Sequence, residues 1–285
     1  MANVVGGFLV SHCPLMFTAP EAAPVAQKER VVSAFAEVAM RIGKLEATTA
    51  IIIGADHYIL FSPSCLPAMH ITIGDCDGPI DRLPGLERGP IANNQALARH
   101  LFECGRDNGF DWAVAKAITV DHAISIPQQL CVRPNEGVKT IPVYLNAGVE
   151  PTISLRRARQ LGALIHSAIS QWPGDERVVV IGSGGISHSV GAADMGTVNE
   201  AFDREILARI DAGDLDWFTD LDEDYLPKYG GNGANEVRNF VCAMAAMGKF
   251  TGRTIAYEAI PEWITGLGFA ELHPMHDEHA EYQAT

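Results

Sequence analysis

Residues 177–191 read RVVVIGSGGISHSVG. The opening run, RVVVIGS, is β-branched and uninterrupted by charge after Arg177, the pattern of a strand buried on both faces. It passes into GGISHSVG (184–191), a glycine-rich loop with a single imidazole, His188. A loop of this kind can cradle a phosphate, make an ordinary turn, or mount a catalytic base. What the rest of the chain brings beside it decides among the three.

Similar runs recur upstream: VVGGFLVS (4–11), TAIIIGAD (49–56), AITVDH (117–122) and KTIPVYLN (139–146). Between them, KERVVSAFAEVAMRIGKL (28–45), NNQALARHLFECGRDNG (93–109) and SLRRARQLGALIHSAISQ (154–171) space apolar residues by three and four, as amphipathic helices do. Two further helical stretches follow the loop (199–214 and 233–248), then a strand-like run, RTIAYEAI (253–260). Short continuous strands alternating with helices predict an α/β fold: a central, largely buried mixed sheet flanked by helices. The Gly-, Pro- and Asp-rich stretch 72–92 reads as a long loop. With no linker or repeat to divide it, the chain reads as one catalytic domain over 1–285, ending in a polar tail from about 271. His273, His276 and His279 in that tail read as solvated histidines.

Composition narrows the partners. Asp and Glu outnumber Lys and Arg by 35 to 21, for a formal charge of −14. Such a surface repels phosphate backbones and anionic lipid, so neither nucleic acid nor membrane is expected as a partner. No apolar run approaches the roughly 20 residues of a membrane span. The start lacks the basic segment of a signal peptide. The six cysteines are scattered without a CxxC pair and read as reduced thiols of a cytoplasmic protein.

Four histidines fall just beyond strand-like runs, where open α/β sheets gather their functional groups. His12 follows GGFLVS, His57 follows TAIIIGAD, His122 follows AITVD, and His188 follows RVVVIGS. Strands running parallel would carry all four to one edge. His70, His100 and His166 lie inside a strand-like run or on helices and read as structural. An imidazole cluster suits Fe, Zn, Cu or Ni, and a carboxylate added to it points to a 2-His-1-carboxylate site. Glu236, in YGGNGANEVRNF, stands where a glycine-rich approach enters a helix, in its expected first turn. The plain alternative is an acid complementing the helix dipole. Asp56 is a rival carboxylate, but beside His57 on an extended segment it faces the other way and supports from behind. The glycine loop fits a dinucleotide fingerprint poorly: GSGGIS has Ser187 where the third small residue belongs and follows the fifth strand-like run. Glycines that clear space around an imidazole able to move protons near neutral pH fit better.

Taken together, SHCP with His12, GADHY with His57, VDHAISIP with His122, GSGGISHS with His188 and GGNGANEVRNF with Glu236 resemble the class III extradiol ring-cleavage dioxygenases, the superfamily of the protocatechuate 4,5-dioxygenase catalytic subunit. The closing YEAIPEWITGLGFA is similar to that family's final strand and turn, and the likeness runs over roughly residues 5 to 270. The resemblance implies a mononuclear non-haem Fe(II) held by His12, His57 and Glu236, ligands that also accept Mn(II), with dioxygen as co-substrate. It implies His188 as acid/base and His122 as a proton-handling neighbour. The implied reaction opens a catechol-type ring beside its diol to a semialdehyde acid. A 2-aminophenol or hydroxypyridone-type ring is the alternative substrate, and a zinc-binding, non-oxidative relative the alternative class. A small aromatic substrate and a homo-oligomer, or a separate small lid subunit, are the implied partners. Arg238, Lys228 and Arg82 are the cations close enough in sequence to the motifs to anchor a carboxylated ring.

Overall fold

The computed structural model describes residues 1–275. Its strands in chain order are β1 (Asn3–Val10), β2 (Thr49–Ala55), β3 (Met69–Gly78), β4 (Gly89–Ile91), β5 (Ala113–Thr119), β6 (Lys139–Leu145), β7 (Arg177–Ser183), β8 (Phe250–Ile260) and β9 (Thr265–Pro274). The helices are α1 (Leu15–Thr18), α2 (Val25–Lys44), α3 (Gln95–Asp107), α4 (His122–Pro127), α5 (Leu155–Gln171), α6 (Glu200–Asp211), α7 (Leu215–Asp220), α8 (Tyr225–Gly230) and α9 (Val237–Ala246).

The strands join in the order β4-β3-β6-β2-β7-β1-β9-β8, with β5 paired to β3. The centre is parallel: β6 with β2, β2 with β7, and β7 with β1. The flanks are antiparallel, through β3 against β6 and β9 against β1 and β8. The fold is thus a single-domain α/β structure with a mixed sheet, as the alternating runs predict.

The central strands explain their own composition. Val179 and Ile181 face α2, packing with Phe8, Val10 and Ile52 against Val31, Phe35 and Val38. Val178 and Val180 face the other way, with Leu9, Ile51 and Ile53, against Leu161 and Ile165 of α5 and Val241 and Met244 of α9. Both faces are covered, so the strand needs apolar residues at every position, not at alternate ones. Each such buried side chain stabilises the fold by about 1.5–3 kcal/mol. Helix starts follow local chemistry: Asn94, Ser154, Asn199 and Asp214 each accept a backbone N–H in the first turn of their helices.

Three expectations need correction. The stretch 72–92 is not one loop: Thr72–Gly78 belongs to β3 and Gly89–Ile91 forms β4, paired with each other. Glycines and acids are tolerated there because the strands lie at the sheet's margin. The strand expected at 117–122 runs instead over 113–119, and it lies beside β3, antiparallel to the central strands. The tail begins later than residue 271, since β9 continues to Pro274 with Leu272 fully buried. His273 sits beside Glu271 at 3.3 Å; His276 and His279 lie outside the described residues. Among the described residues no helix is long and apolar enough to cross a membrane.

Candidate metal centre and active site

The parallel strands β1, β2 and β7 are adjacent, and their carboxyl ends deliver His12, His57 and His188 to one place. His122 arrives by another route. The chain leaves β5 through Asp121, which caps α4 by accepting the Ala123 N–H, and the helix turns His122 under the end of β2. Its ring lies 4.1 Å from that of His57, tilted by 32°. The expectation of four parallel strand ends therefore holds for three histidines, while a helix start supplies the fourth.

Glu236 closes the cluster. It ends a 3-10 turn (Asn232–Glu236) immediately before α9 instead of lying within the helix's first turn. Its Oε1 lies 3.2 Å from His12 Nε2 and 3.0 Å from His57 Nε2, and those two nitrogens are 3.4 Å apart. Its Oε2 accepts the Gly185 N–H at 2.7 Å and lies 3.6 Å from His188 Nε2. Gly184 permits this approach, since a β-carbon there would meet Glu236 Cβ at 2.9 Å.

The partners behind the imidazoles fix their tautomers. Ser183 Oγ donates to the Ala123 carbonyl at 2.6 Å, so its lone pair accepts His12 Nδ1–H at 2.9 Å. Asp121 accepts His57 Nδ1–H at 3.0 Å and is itself held by the Tyr144 hydroxyl at 3.0 Å. With both Nδ1 atoms engaged from behind, both rings turn Nε2 toward Glu236 Oε1. Two imidazole nitrogens and a carboxylate oxygen then converge on one point, an arrangement that asks for a cation: a proton on His57, or a metal ion in its place. Adjacent ligands of an octahedral ion at about 2.1 Å stand about 3 Å apart, which is the spacing found here. Burial opposes charge on His57, yet Asp121 and Glu236 outweigh it and raise its pKa well above the ordinary value. Burial likewise opposes charge on Glu236, yet His12 and His57 hold its carboxyl well below the usual range. His122 joins His12 and His57 in a looser group whose donor atoms lie within 4.8 Å of one another.

His188 is held as a free base. Burial lowers its pKa despite Glu236. Its Nδ1–H points to the Ile186 carbonyl at 3.4 Å, leaving the Nε2 lone pair on the Glu236 side. Burial also lowers the pKa of His122, whose Nδ1 faces Asp81 Oδ2 at 3.2 Å.

Beside the cluster is a cavity of about 370 Å³, bordered by His57, His188 and Glu236 and walled by Tyr58, Val149, Glu150 and Val190. Asp56 also borders it, but its carboxylate is occupied by the backbone N–H groups of Ile59, Leu60 and Phe61. It shapes the loop after His57 and is not turned toward the cluster. None of the cations singled out in the sequence lines this cavity. Arg238 is buried and bonded to Ile153, Asn235 and Glu223, Lys228 sits over the Tyr229 ring, and Arg82 is exposed. Asp121, Asp81 and Ser183 were not singled out in the sequence. Only Asp121 carried a local signal, as an Asp at a helix start directly before a histidine.

The histidines treated as structural behave so: His100 donates to the Ala168 carbonyl, His166 faces the Ala246 carbonyl, and His70 lies buried in β3.

The chain is 25% identical over 317 residues to the 2,3-dihydroxyphenylpropionate/2,3-dihydroxicinnamic acid 1,2-dioxygenase of Photorhabdus laumondii, spanning 93% of this chain and 96% of that one. It is 28% identical over 311 residues to the enzyme of the same name from Burkholderia vietnamiensis, spanning 91% and 94%. The crystal structure of an uncharacterized protein from Escherichia coli K12 shares the fold at a TM-score of 0.55 and 10% identity, covering 94% of this chain and 99% of that one. Residues 6–268 match the family described as the catalytic LigB subunit of aromatic ring-opening dioxygenase, and the chain belongs to that family of extradiol ring-cleaving enzymes.

Proposed function

We propose that this dioxygenase works with a non-haem Fe(II) bound by His12 Nε2, His57 Nε2 and Glu236 Oε1. The observation that carries the proposal is the convergence of those three ligand atoms within 3.4 Å of one another. Two imidazoles and a carboxylate on one side of an ion, with the other positions open, suit Fe(II) and dioxygen. His122 fits less well as a ligand, because its ring stacks on His57 and its donor group is wider.

Iron bound there supplies a site where both oxygens of a catechol and one dioxygen meet and exchange electrons. The chain's own residues do the rest. His188, neutral and with its lone pair toward the cavity side, takes a proton from a ring hydroxyl as the diol binds. His122, whose ring stacks on that of His57, is the second imidazole able to return a proton. The apolar walls Tyr58, Val149 and Val190 receive the ring. The relatives' named substrate carries a propionate, and no Lys or Arg lines the cavity among the described residues. We therefore carry over the diol of that substrate and not its acid. The six cysteines are all unpaired thiols, as a reducing cytoplasm keeps them, and we assign the enzyme there. Association with further copies or a separate lid subunit, implied by the resemblance, is measured by sedimentation.

The test is anaerobic loading with Fe(II), then oxygen uptake over a panel of catechols and 2-aminophenols, with the coloured ring-fission product as readout. Iron-dependent uptake with a catechol is the expected result. Uptake with aminophenols alone would move the substrate class, and silence across the panel with zinc tightly retained would overturn the iron reading.

A further inference from the structure

Bonded to Ser187, the residue before His188, is a carboxylate that the chemistry above does not use. Asp203, on α6, is fully buried. Its Oδ1 accepts the Ser187 N–H at 2.8 Å, and its Oδ2 accepts the Ser187 hydroxyl at 2.8 Å and the Tyr257 hydroxyl at 2.7 Å. No cation pairs with it among the described residues. A buried carboxylate held only by neutral donors is costly to a fold, and apolar groups of the same shape would cost less. Two of its three bonds go to the residue immediately before His188.

Everything else around Ser187 and His188 converges on the same purpose. Ser187 Oγ accepts the Asn199 N–H at 2.9 Å, tying it to the start of α6. Gly266 of β9 donates to the Ser187 carbonyl at 2.8 Å and accepts the Ile186 N–H at 3.2 Å. The His188 N–H donates to Gly230 at 2.8 Å, and its carbonyl accepts Gly233 at 3.0 Å. β9 passes so close that a β-carbon on Gly266 would lie 1.9 Å from Asp203 Oδ2. Asp203 is thus wedged between β9 and the glycine loop and grips both polar groups that Ser187 can donate.

We propose that Asp203 is a positioning residue for His188, acting through Ser187 and steadied by Tyr257; this rests on the reading of His188 as the proton carrier. Rotation at Ser187 swings the next imidazole away from the substrate hydroxyl, and a 1 Å misplacement can cost about 100-fold in rate. Asp203→Asn places an amide donor where three donors already point and loosens the grip.

The experiment is a double-mutant cycle on the iron-loaded enzyme, comparing wild type, Asp203→Asn, His188→Ala and the double variant with one catechol. Asp203→Asn is expected to lower kcat by about 10- to 100-fold with KM and iron content nearly unchanged. In the His188→Ala background the same change is expected to cost no more than about twofold, because the group it positions is gone. Equal losses in both backgrounds would overturn the proposal and leave Asp203 a purely structural group. Should Asp203→Asn fail to fold, Tyr257→Phe, which removes one donor and keeps the ring, takes its place in the cycle with a smaller loss expected in the same pattern. Full activity of His188→Ala would instead overturn the reading of His188, and the positioning role with it.

Discussion

A β-carbon added to Gly233 would lie 2.1 Å from Cδ2 and Nε2 of His188, and one added to Gly185 2.5 Å from its Cε1. The imidazole is packed between two bare α-carbons, so Gly185 of the glycine loop and Gly233 of the 3-10 turn serve clearance and not phosphate binding. Gly233→Ala must therefore displace the ring; kcat should fall by at least about 10-fold while the protein stays folded and binds iron. Unchanged kcat would show that the ring's position is immaterial. Removing the imidazole goes further: His188→Ala should still bind iron and catechol but lose about 10²–10⁴ in kcat. Retained activity at saturating substrate would end its role as acid/base. Asp121 acts one step behind the metal by fixing the tautomer and direction of His57. Asp121→Ala should weaken iron binding about 10- to 100-fold, measured by competition with a chelator. An unchanged affinity would mean that His57 is oriented by its backbone alone.

At the scale of an element, β3 shows both what the sequence could tell and where it went silent. Its residues 69–71 lie against β6, but the irregularity between Thr72 and Asp75 falls around Gly74, where a β-carbon would meet the Lys116 carbonyl at 2.0 Å. Glycine and aspartate there break the apolar pattern by which a strand is recognised, so the part of β3 from Thr72 onward reads as a loop. Within it, His70 is buried beside Phe61 and Tyr144, with Nδ1 unpartnered, and burial pushes its pKa down to about 4. The unfolded chain binds that proton from about pH 6.5 downward while the folded chain resists it to about pH 4. This contribution is therefore fully present above pH 6.5 and is lost as pH falls through the window, by at most about 3 kcal/mol. Denaturant melts of wild type and His70→Phe should diverge in slope between those pH values, with the variant flatter; parallel curves would show that His70 protonates without opposing the fold. The central strands were legible because burial on both faces leaves an unbroken apolar run. The histidines at β1, β2 and β7 were legible because parallel strands share an end. His122 was placed correctly for the wrong reason, since its strand runs the other way. Asp203 and Ser183 were invisible because their roles exist only once α6 or β7 has been brought beside a residue distant in the chain.

For the whole molecule, the deciding quantity is charge. A formal −14 surrounds a cavity whose wall, among the described residues, holds Glu150 but neither Lys nor Arg. A metal ion held by His12, His57 and Glu236 would favour an approaching catecholate at short range, whereas at long range the protein's field opposes any anion. A ring bearing a carboxylate meets that opposition throughout its approach and finds no cation on the cavity wall, while an uncharged catechol does not. Salt separates the two effects, because the screening length shrinks from about 30 Å at 0.01 M to about 10 Å at 0.1 M. The KM for 2,3-dihydroxyphenylpropionate should therefore fall as salt is raised over that range, while the KM for unsubstituted catechol stays level. A KM for the carboxylated ring that rises with salt would reveal attraction instead; exposed Arg82, next in the chain to the Asp81 that His122 faces, is then the first cation to replace.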